Sequence, residues 1–126
     1  MTLNDDLLSG RRILLVEDDY FIADAMLGVL EDAGATVLGP VSSVKEALAL
    51  LDGEPEVDSA ILDINLNGEM VYPVADALTA LGIPFIFATG YDEAAVPPAW
   101  RHVMRCEKPV NAAAVARALH SGDDAQ

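Results

Sequence analysis

The sequence predicts an α/β fold in which helices cover both faces of a five-stranded parallel sheet. Short aliphatic runs alternate five times with segments whose apolar residues recur every three or four positions, which is the order of repeated βα units. The aliphatic runs are uninterrupted, as expected for strands buried on both faces. Apolar residues make up 52% of the chain and aromatic residues only 6%, a composition that favours an aliphatic interior over an aromatic-rich β-sandwich.

The first βα unit follows a loose lead-in over residues 1–10. Residues 13–16 form an aliphatic run and predict the first strand. The segment behind this strand places its apolar residues on one face of a helix, and Gly34 supplies a left-handed stop. The predicted face consists of Ile22, Ala25, Met26, Val29, Leu30 and Ala33.

The second unit begins with a short strand at residues 36–38, which Gly39 and Pro40 are expected to end. Ser43 is followed three residues later by Glu46, which is the capping-box pattern of a helix start.

The third unit has a strand at residues 59–64, a loop at residues 65–71 and a helix at residues 73–81. Pro73 suits the first position of that helix, and Gly82 is its expected stop.

The last two units have weaker patterns. Residues 84–89 predict the fourth strand, and two consecutive prolines limit the helix predicted at residues 90–99. A fifth strand at residues 103–106 precedes a final helix that Asn111 caps. The residues of this helix that are expected to face inward are Val115, Ala118 and Leu119.

Five such units with right-handed crossovers predict a doubly wound, flavodoxin-like three-layer sandwich with strand order 2-1-3-4-5. The predicted domain spans residues 11–120, between the lead-in and a frayed tail at residues 121–126.

Charge and composition exclude several classes of protein. The formal net charge is −14, from 21 acidic residues against seven Lys and Arg, so we expect no direct binding to nucleic acid or to an anionic membrane. No apolar run approaches the ~20 residues of a membrane span. The N-terminus lacks the basic-then-apolar order of a signal peptide, and the expected location is therefore the cytoplasm.

The cysteine and the histidines have structural interpretations. Cys106 is the single cysteine, so it cannot form an intrachain disulfide and is expected to be a buried thiol. His102 and His120 have no partner at metal-ligand spacing, and we expect them to be surface or packing residues.

Polar residues whose side chains can bind a metal or take part in a reaction follow the predicted strands. Glu17 and Asp18 follow the first strand, Asp63 ends the third, Thr89 ends the fourth, and Lys108 follows the fifth. The carboxyl ends of parallel strands meet at one open edge, so these residues should converge there. A pair of carboxylates ~4 Å apart costs about 4 kcal/mol, and oxygen ligands favour Mg²⁺ or Mn²⁺ as the compensating cation. Asp63 is then the expected nucleophile toward a phosphoryl group.

Each of these residues also has an alternative interpretation. Asp18 or Asp19 would serve as the N-cap of the first helix. Thr89 would be a β-branched strand terminus, and Lys108 a solvated loop cation. The carboxylate of Asp63 is harder to explain structurally, because an isolated buried charge is costly.

This set of motifs resembles the receiver domain of bacterial response regulators over residues 11–120. Glu17 and Asp18 match the acidic pair of that family, and Asp63 matches its phosphoacceptor. Thr89 matches the switch hydroxyl, and Lys108 with Pro109 matches the lysine-proline pair. Residues 84–91, Pro-Phe-Ile-Phe-Ala-Thr-Gly-Tyr, are also similar to an alphaproteobacterial Phe-Ala-Thr-Gly subgroup of single-domain receivers.

The resemblance implies a stand-alone receiver that takes a phosphoryl group from a sensor histidine kinase or a histidine phosphotransfer protein. Asp63 would accept the group in a magnesium-dependent reaction, and the backbone carbonyl of Asn65 would complete the metal shell. The resemblance implies no enzymatic activity beyond the receiver's own phosphorylation and dephosphorylation. Output would be contact with a downstream protein target or a phosphorelay, from a monomer or weak homodimer.

Two features depart from the family pattern. Residues 66–70 are Leu-Asn-Gly-Glu-Met, where the family commonly has Met-Pro-x-Met-Asp-Gly after the phosphoacceptor. Arg105 stands where many members keep an aromatic switch, three residues before the lysine. Tyr91, just past Thr89, is our candidate to act in its place.

Other functional classes compete with this interpretation. A phosphatase of the haloacid-dehalogenase type also uses an aspartyl phosphate, but here Asn65 stands in place of its general-acid aspartate, and its acidic pair should come last in the chain. A flavin carrier needs a Ser/Thr/Gly-rich phosphate loop after the first strand, which this sequence lacks. A receiver that had lost phosphorylation would lack a site residue, and every expected one is present.

Overall fold

Strands and helices alternate along the chain. The computed structural model describes residues 7–53, 56–90, 96–108 and 110–124, with side chains described as far as residue 119 in the last helix. The elements in chain order are β1 (Arg12–Val16), α1 (Tyr20–Asp32), β2 (Thr36–Val41), α2 (Val44–Gly53), β3 (Ser59–Asp63), β4 (Asn65–Leu66), β5 (Glu69–Met70), α3 (Tyr72–Leu81), β6 (Phe85–Thr89), a 3-10 turn (Pro98–Trp100), β7 (Arg105–Glu107) and α4 (Ala112–Asp124).

Five of these strands form one parallel sheet in the order β2-β1-β3-β6-β7. The short β4 and β5 pair only with each other, as an antiparallel hairpin, so β6 and β7 are the fourth and fifth strands of the main sheet. The predicted order 2-1-3-4-5 is confirmed. It places β1 beside β3, with Val16 opposite Leu62.

Two apolar cores lie on opposite faces of the sheet, because successive strand residues point to opposite sides. Leu14 and Leu62 belong to the core beneath α2 and α3, whereas Leu15 and Ile61 belong to the core beneath α1 and α4. All four side chains are fully buried. The three-layer sandwich explains why the strands are continuously aliphatic.

The segment before β1 contributes to one of these cores. Leu8 is fully buried against the core shared by α1 and α4, and its backbone N–H donates to the Ala33 carbonyl at 2.9 Å. The predicted lead-in therefore contains a core residue. The domain bounds themselves stay a prediction.

The start and end signals of the helices are largely confirmed. The Ser43 hydroxyl accepts a hydrogen bond from the Glu46 N–H at 3.1 Å, which is the first half of the predicted capping box. The Glu46 carboxylate reaches back one residue further than expected and accepts from the Ser42 N–H at 3.2 Å. Gly82 ends α3 with a left-handed φ of +72°. Asn111 caps α4 by accepting a hydrogen bond from the Ala114 N–H at 2.8 Å, and the predicted inward residues of α4 are buried.

The predicted face of α1 is partly wrong. Its buried residues are Ala23, Met26 and Leu30, whereas Ala25 is exposed and Val29 half-buried. Alanine is compatible with either environment, so its position does not locate the buried stripe.

The edge strand β2 continues through Gly39 and Pro40, where the sequence predicted its end. Proline lacks an N–H group, but a strand at the edge of a sheet has one side without a partner and tolerates this loss. The prediction that the Gly-Pro pair ends the strand is therefore wrong.

Gly39 is expected to be intolerant of any side chain. Its φ is +101°, and a Cβ atom there would lie 2.8 Å from both the Leu15 carbonyl oxygen and the Val41 nitrogen. We expect Gly39→Ala to lower the free energy of unfolding by about 1–3 kcal/mol, measured by urea denaturation. Gly28→Ala is the matched control, because Gly28 lies within α1 with open space at its Cβ position. That substitution should raise stability by about 0.5–1 kcal/mol, and equal effects at the two sites would contradict the prediction.

The helix predicted after β6 is tested only in part, because the structure does not describe all of residues 90–99. In the described part of residues 90–99, the only helical element is the 3-10 turn Pro98–Trp100, because consecutive prolines remove the N–H groups that an α-helix needs. Residues 91–95 lie outside the described residues. The strand predicted at residues 103–106 is Arg105–Glu107.

The end of the chain is also more regular than predicted. Helix α4 runs to Asp124, past the glycine at which we expected fraying. Within the described residues, no helix is long and apolar enough to cross a membrane.

Candidate functional site

The segments that follow β1 and β3 lie next to each other at the carboxyl edge of the sheet. Val16 and Leu62 are paired across these parallel strands, so Glu17 and Asp63 come next at the same edge. This is the open edge of a doubly wound sheet, where ligands bind.

Three carboxylates converge there and form what we call the acidic site: Glu17, Asp18 and Asp63. One oxygen from each lies within 4.8 Å of the others. Glu17 and Asp63 are buried, and Asp18 is partly exposed. The predicted convergence of the ends of the first and third strands is confirmed.

Lys108 supplies positive charge to the acidic site. Its Nζ atom lies 2.7 Å from Glu17 Oε1 and 3.2 Å from Asp63 Oδ1. The backbone N–H of Lys108 donates to the Thr89 carbonyl at 2.8 Å, which fixes the start of the side chain. Burial opposes the charged form, but the hydrogen bonds and charges of Glu17 and Asp63 raise the pKa of Lys108. The interpretation of Lys108 as a solvated loop cation is therefore wrong.

The environment of Asp63 favours its protonated form. Burial, a side-chain hydrogen bond with Asp18 and the negative charge of Glu17 raise the pKa of Asp63 to about 8, against the opposing effect of Lys108. One lysine thus does not neutralise three carboxylates. The acidic site carries excess negative charge when no other cation is present.

The helix-capping alternative is resolved in favour of Asp19. Its side chain accepts a hydrogen bond from the Ile22 N–H at 3.0 Å, so Asp19 is the N-cap of α1. The Asp19 N–H in turn donates to Glu17 Oε2 at 3.1 Å. Asp18 is therefore left to face the acidic site.

The acidic site has the ligands for a hard divalent cation. All the candidate ligand atoms are carboxylate oxygens, which such cations prefer. Glu17 Oε1 is buried and faces Lys108 Nζ at 2.7 Å. Burial, the hydrogen bond with Asp18 and the charge of Glu17 raise the pKa of Asp63; a divalent cation at the site would act against them by favouring the ionised carboxylate.

Thr89 and Asn65 lie beside the acidic site. Thr89 ends β6 and is buried; Asp63 pairs with Ala88, the residue before it. Asn65 begins the hairpin two residues after Asp63, and its side-chain oxygen accepts a hydrogen bond from the Gly68 N–H at 2.6 Å. The roles assigned to the Thr89 hydroxyl and the Asn65 carbonyl stay predictions.

The structure describes only one of the two switch candidates. Arg105 is exposed on β7, opposite Phe87. Tyr91 lies outside the described residues, as does Pro109. Their proposed contribution to switching stays a prediction.

The segment after Asp63 is a hairpin where the sequence predicted a loop. Its turn residues, Asn67 and Gly68, have φ values of +56° and +92°. An Asn-Gly pair is a strong local indicator of a two-residue hairpin turn, so the dipeptide could have revealed it. Glu69 accepts a hydrogen bond from the Val44 N–H at 3.4 Å, which ties the hairpin to the start of α2.

An aromatic cluster that the sequence did not predict lies near β6. Trp100 stacks on Tyr72 with ring centroids 6.1 Å apart, and it contacts Phe85 at 6.0 Å. His102 is exposed and stacks on the same indole at 6.4 Å, so it is a surface residue with a ring contact. These side chains come from different elements, so no local sequence pattern could have indicated the cluster.

Comparison with curated proteins gives a partial match. No protein-family model matches this sequence. The chain is 32% identical over 88 residues to YbdJ of Bacillus subtilis (strain 168), an uncharacterized transcriptional regulatory protein. The match covers 68% of this chain and 38% of YbdJ, so the chain spans well under half the length of this relative.

Solved structures match over most of the chain. The solution structure of SdrG from Sphingomonas melonis Fr1 is 40% identical, with a TM-score of 0.79 and coverage of 92% of this chain and 97% of that one. SdrG from Pseudomonas melonis Fr1 in its BeF3-activated conformation gives 40% identity, a TM-score of 0.73 and coverage of 87% and 93%. The N-terminal domain of a response regulator/sensory box/GGDEF three-domain protein from Carboxydothermus hydrogenoformans gives 25% identity, a TM-score of 0.76 and coverage of 91% and 98%.

Proposed function

The chain belongs to the receiver-domain family of response regulators, and on that premise we propose that Asp63 accepts a phosphoryl group from a phosphohistidine donor. The observation that carries the proposal is the acidic site, where three carboxylates meet and Lys108 Nζ lies 3.2 Å from Asp63. The similarity to SdrG in its BeF3-activated conformation supports the proposal, since BeF3 is a phosphoryl analogue.

In the proposed reaction, a carboxylate oxygen of Asp63 attacks the phosphorus atom of the donor. A phosphorus–oxygen bond forms while the bond from phosphorus to the donor imidazole breaks, and the imidazole leaves with the bonding electrons and takes up a proton. Asp63 must be ionised to attack, and its raised pKa means that the metal-free site opposes ionisation. Lys108 favours the ionised form through its contact with Asp63 Oδ1.

Magnesium is the cation that we propose for the acidic site. Glu17, Asp18 and Asp63 would hold it, together with the backbone carbonyl of Asn65. When bound, it supplies positive charge to the reacting oxygens. Manganese has the same preference for oxygen ligands and would substitute for it.

Phosphorylation would change the surface near β6 and β7. A phosphoryl group adds about −1.5 to −2 charge at neutral pH beside Lys108 and Thr89. The backbone hydrogen bond between these residues joins the ends of β6 and β7, so a shift of one is expected to move the other. The proposed output is contact with a downstream protein, or transfer of the phosphoryl group to a second histidine in a phosphorelay.

The proposed chemistry is self-phosphorylation and self-dephosphorylation, without turnover of an independent substrate. The proposed partner is a histidine kinase or a histidine phosphotransfer protein. Because the phosphoryl group would derive from ATP, this proposal places the chain in the cytoplasm.

Labelling by acetyl phosphate and magnesium tests the proposal. Intact-mass spectrometry should show one adduct of ~80 Da on the wild type and none on Asp63→Asn. Asp76→Asn, which makes the same change at an exposed position of α3, should label like the wild type. Labelling of Asp63→Asn would refute the acceptor assignment, and release of many phosphates per chain from a phosphate monoester would favour a phosphatase instead.

A further inference from the structure

A groove opens at the amino edge of the sheet, at the end opposite the acidic site. It has a volume of about 840 Å³ and lies between the ends of α2 and α3, beside the starts of β3 and β6. Its floor is apolar and includes Leu48, Leu51 and Ile83. Leu81, the last residue of α3, lines the same groove and is 58% exposed. A large aliphatic side chain is thus exposed to solvent beside a concave apolar surface.

The rim of the groove is acidic. Asp52 and Asp58 line it and are exposed, and no lysine or arginine is among its described lining residues. Arg12 is the neighbouring cation: its backbone N–H donates to Asp58 Oδ2 at 2.8 Å, and its Nε donates to the Glu56 carbonyl at 2.6 Å. The whole chain carries a formal charge of −14, so the long-range field has the same sign as the rim.

We propose that this groove binds a basic amphipathic segment of a partner protein. Apolar side chains of the segment lie against Leu51 and Leu81, and its lysines or arginines face Asp52 and Asp58. A groove between two helix ends suits an amphipathic helix laid along it, and its volume is in the range that accommodates several side chains.

The charges decide which occupant fits. A second copy of this chain would bring the same aspartates together across a symmetric interface, where like charges repel. An anionic ligand would meet the same repulsion. A cationic segment is attracted both by the rim and by the net charge of the domain.

Docking at the groove leaves the acidic site free. The two sites lie at opposite ends of five-residue strands, which separates them by roughly 15 Å. A partner held in the groove can therefore remain bound while Asp63 is approached from the other edge. The inference does not depend on phosphoryl transfer and is tested without it.

The test uses two fluorescent helical peptides of equal length, one built from leucine and lysine and one from leucine and glutamate. Fluorescence anisotropy at physiological salt should show binding of the lysine peptide only. Leu81→Ser should weaken that binding by about tenfold, and Asp52→Asn by about threefold. Backbone amide shifts in the NMR spectrum should be confined to residues 48–58 and 77–83.

The matched control is Asp24→Asn, which removes the same charge from an exposed position of α1 on the other face of the sheet. Binding of the lysine peptide should be unchanged in this variant. Equal weakening by Asp24→Asn and Asp52→Asn would show general charge attraction and overturn the proposal. Amide shifts outside the groove would also overturn it, as would self-association of the wild type that Leu81→Ser abolishes.

Discussion

Replacing Lys108 by alanine is expected to slow the phosphorylation of Asp63 by about 10²–10³-fold. Lys108 Nζ lies 3.2 Å from Asp63 Oδ1, next to the oxygens that receive the phosphoryl group in the proposed reaction. Negative charge spreads over the equatorial oxygens in the transition state, and an ammonium group already held in place stabilises it. The time course of the mass adduct with acetyl phosphate and saturating magnesium measures this rate.

The same substitution is expected to destabilise the metal-free protein. Lys108 also lies 2.7 Å from Glu17 Oε1, and its removal leaves the acidic site without a lysine counter-charge. Removal of one partner from a largely buried ion pair costs about 2–3 kcal/mol at neutral pH, and added magnesium should restore part of that loss.

Lys45→Ala is the matched control for both effects. Lys45 is the other lysine of the chain and is exposed on α2, so its removal should change neither the phosphorylation rate nor the stability appreciably. Labelling of Lys108→Ala at the wild-type rate would show that the ammonium group does not act on the reacting oxygens.

The central strands and the acidic site could be predicted from the sequence because one physical constraint produces both. A strand covered by helices on two faces must be continuously apolar, as residues 13–16 are. The first polar residue after such a run then lies at the carboxyl edge. Glu17 and Asp63 are both in this position, so the topology brings them together.

The edge strands of the sheet were harder to predict because they are less buried than the central strands and pair on one side only. The edge strand β2 tolerates Pro40, and β7 is only three residues long with one buried side chain, Cys106. The aromatic contact of Trp100 with Tyr72 is purely tertiary. The hairpin after Asp63, in contrast, has a local sequence signal. The pair Asn67-Gly68 is typical of a two-residue hairpin turn, so the prediction of a loop at residues 65–71 overlooked it.

Asp63→Asn is expected to make the metal-free protein more stable than the wild type near neutral pH. Burial, the hydrogen bond with Asp18 and the charge of Glu17 raise the pKa of Asp63 from 3.8 to about 8. Between these values the folded protein holds a proton that the unfolded chain has released. The contribution of Asp63 to stability is therefore fully present below about pH 4 and is lost as the pH rises toward about 8. The asparagine side chain does not titrate in this range, so the variant should not lose stability at residue 63 as the pH rises.

Urea unfolding with a chelator from about pH 4 to about pH 9 measures the difference. The gap between Asp63→Asn and the wild type should widen with pH and level off above the raised pKa. Asp76→Asn removes an equal charge from the exposed side of α3, and its pH dependence should follow that of the wild type. Magnesium should stabilise the wild type most at the alkaline end, because it binds the ionised carboxylate, and should stabilise Asp63→Asn much less. If the curves of wild type and Asp63→Asn run parallel, Asp63 ionises as it does in the unfolded chain. The acidic site would then lack the excess charge that a bound cation is proposed to neutralise.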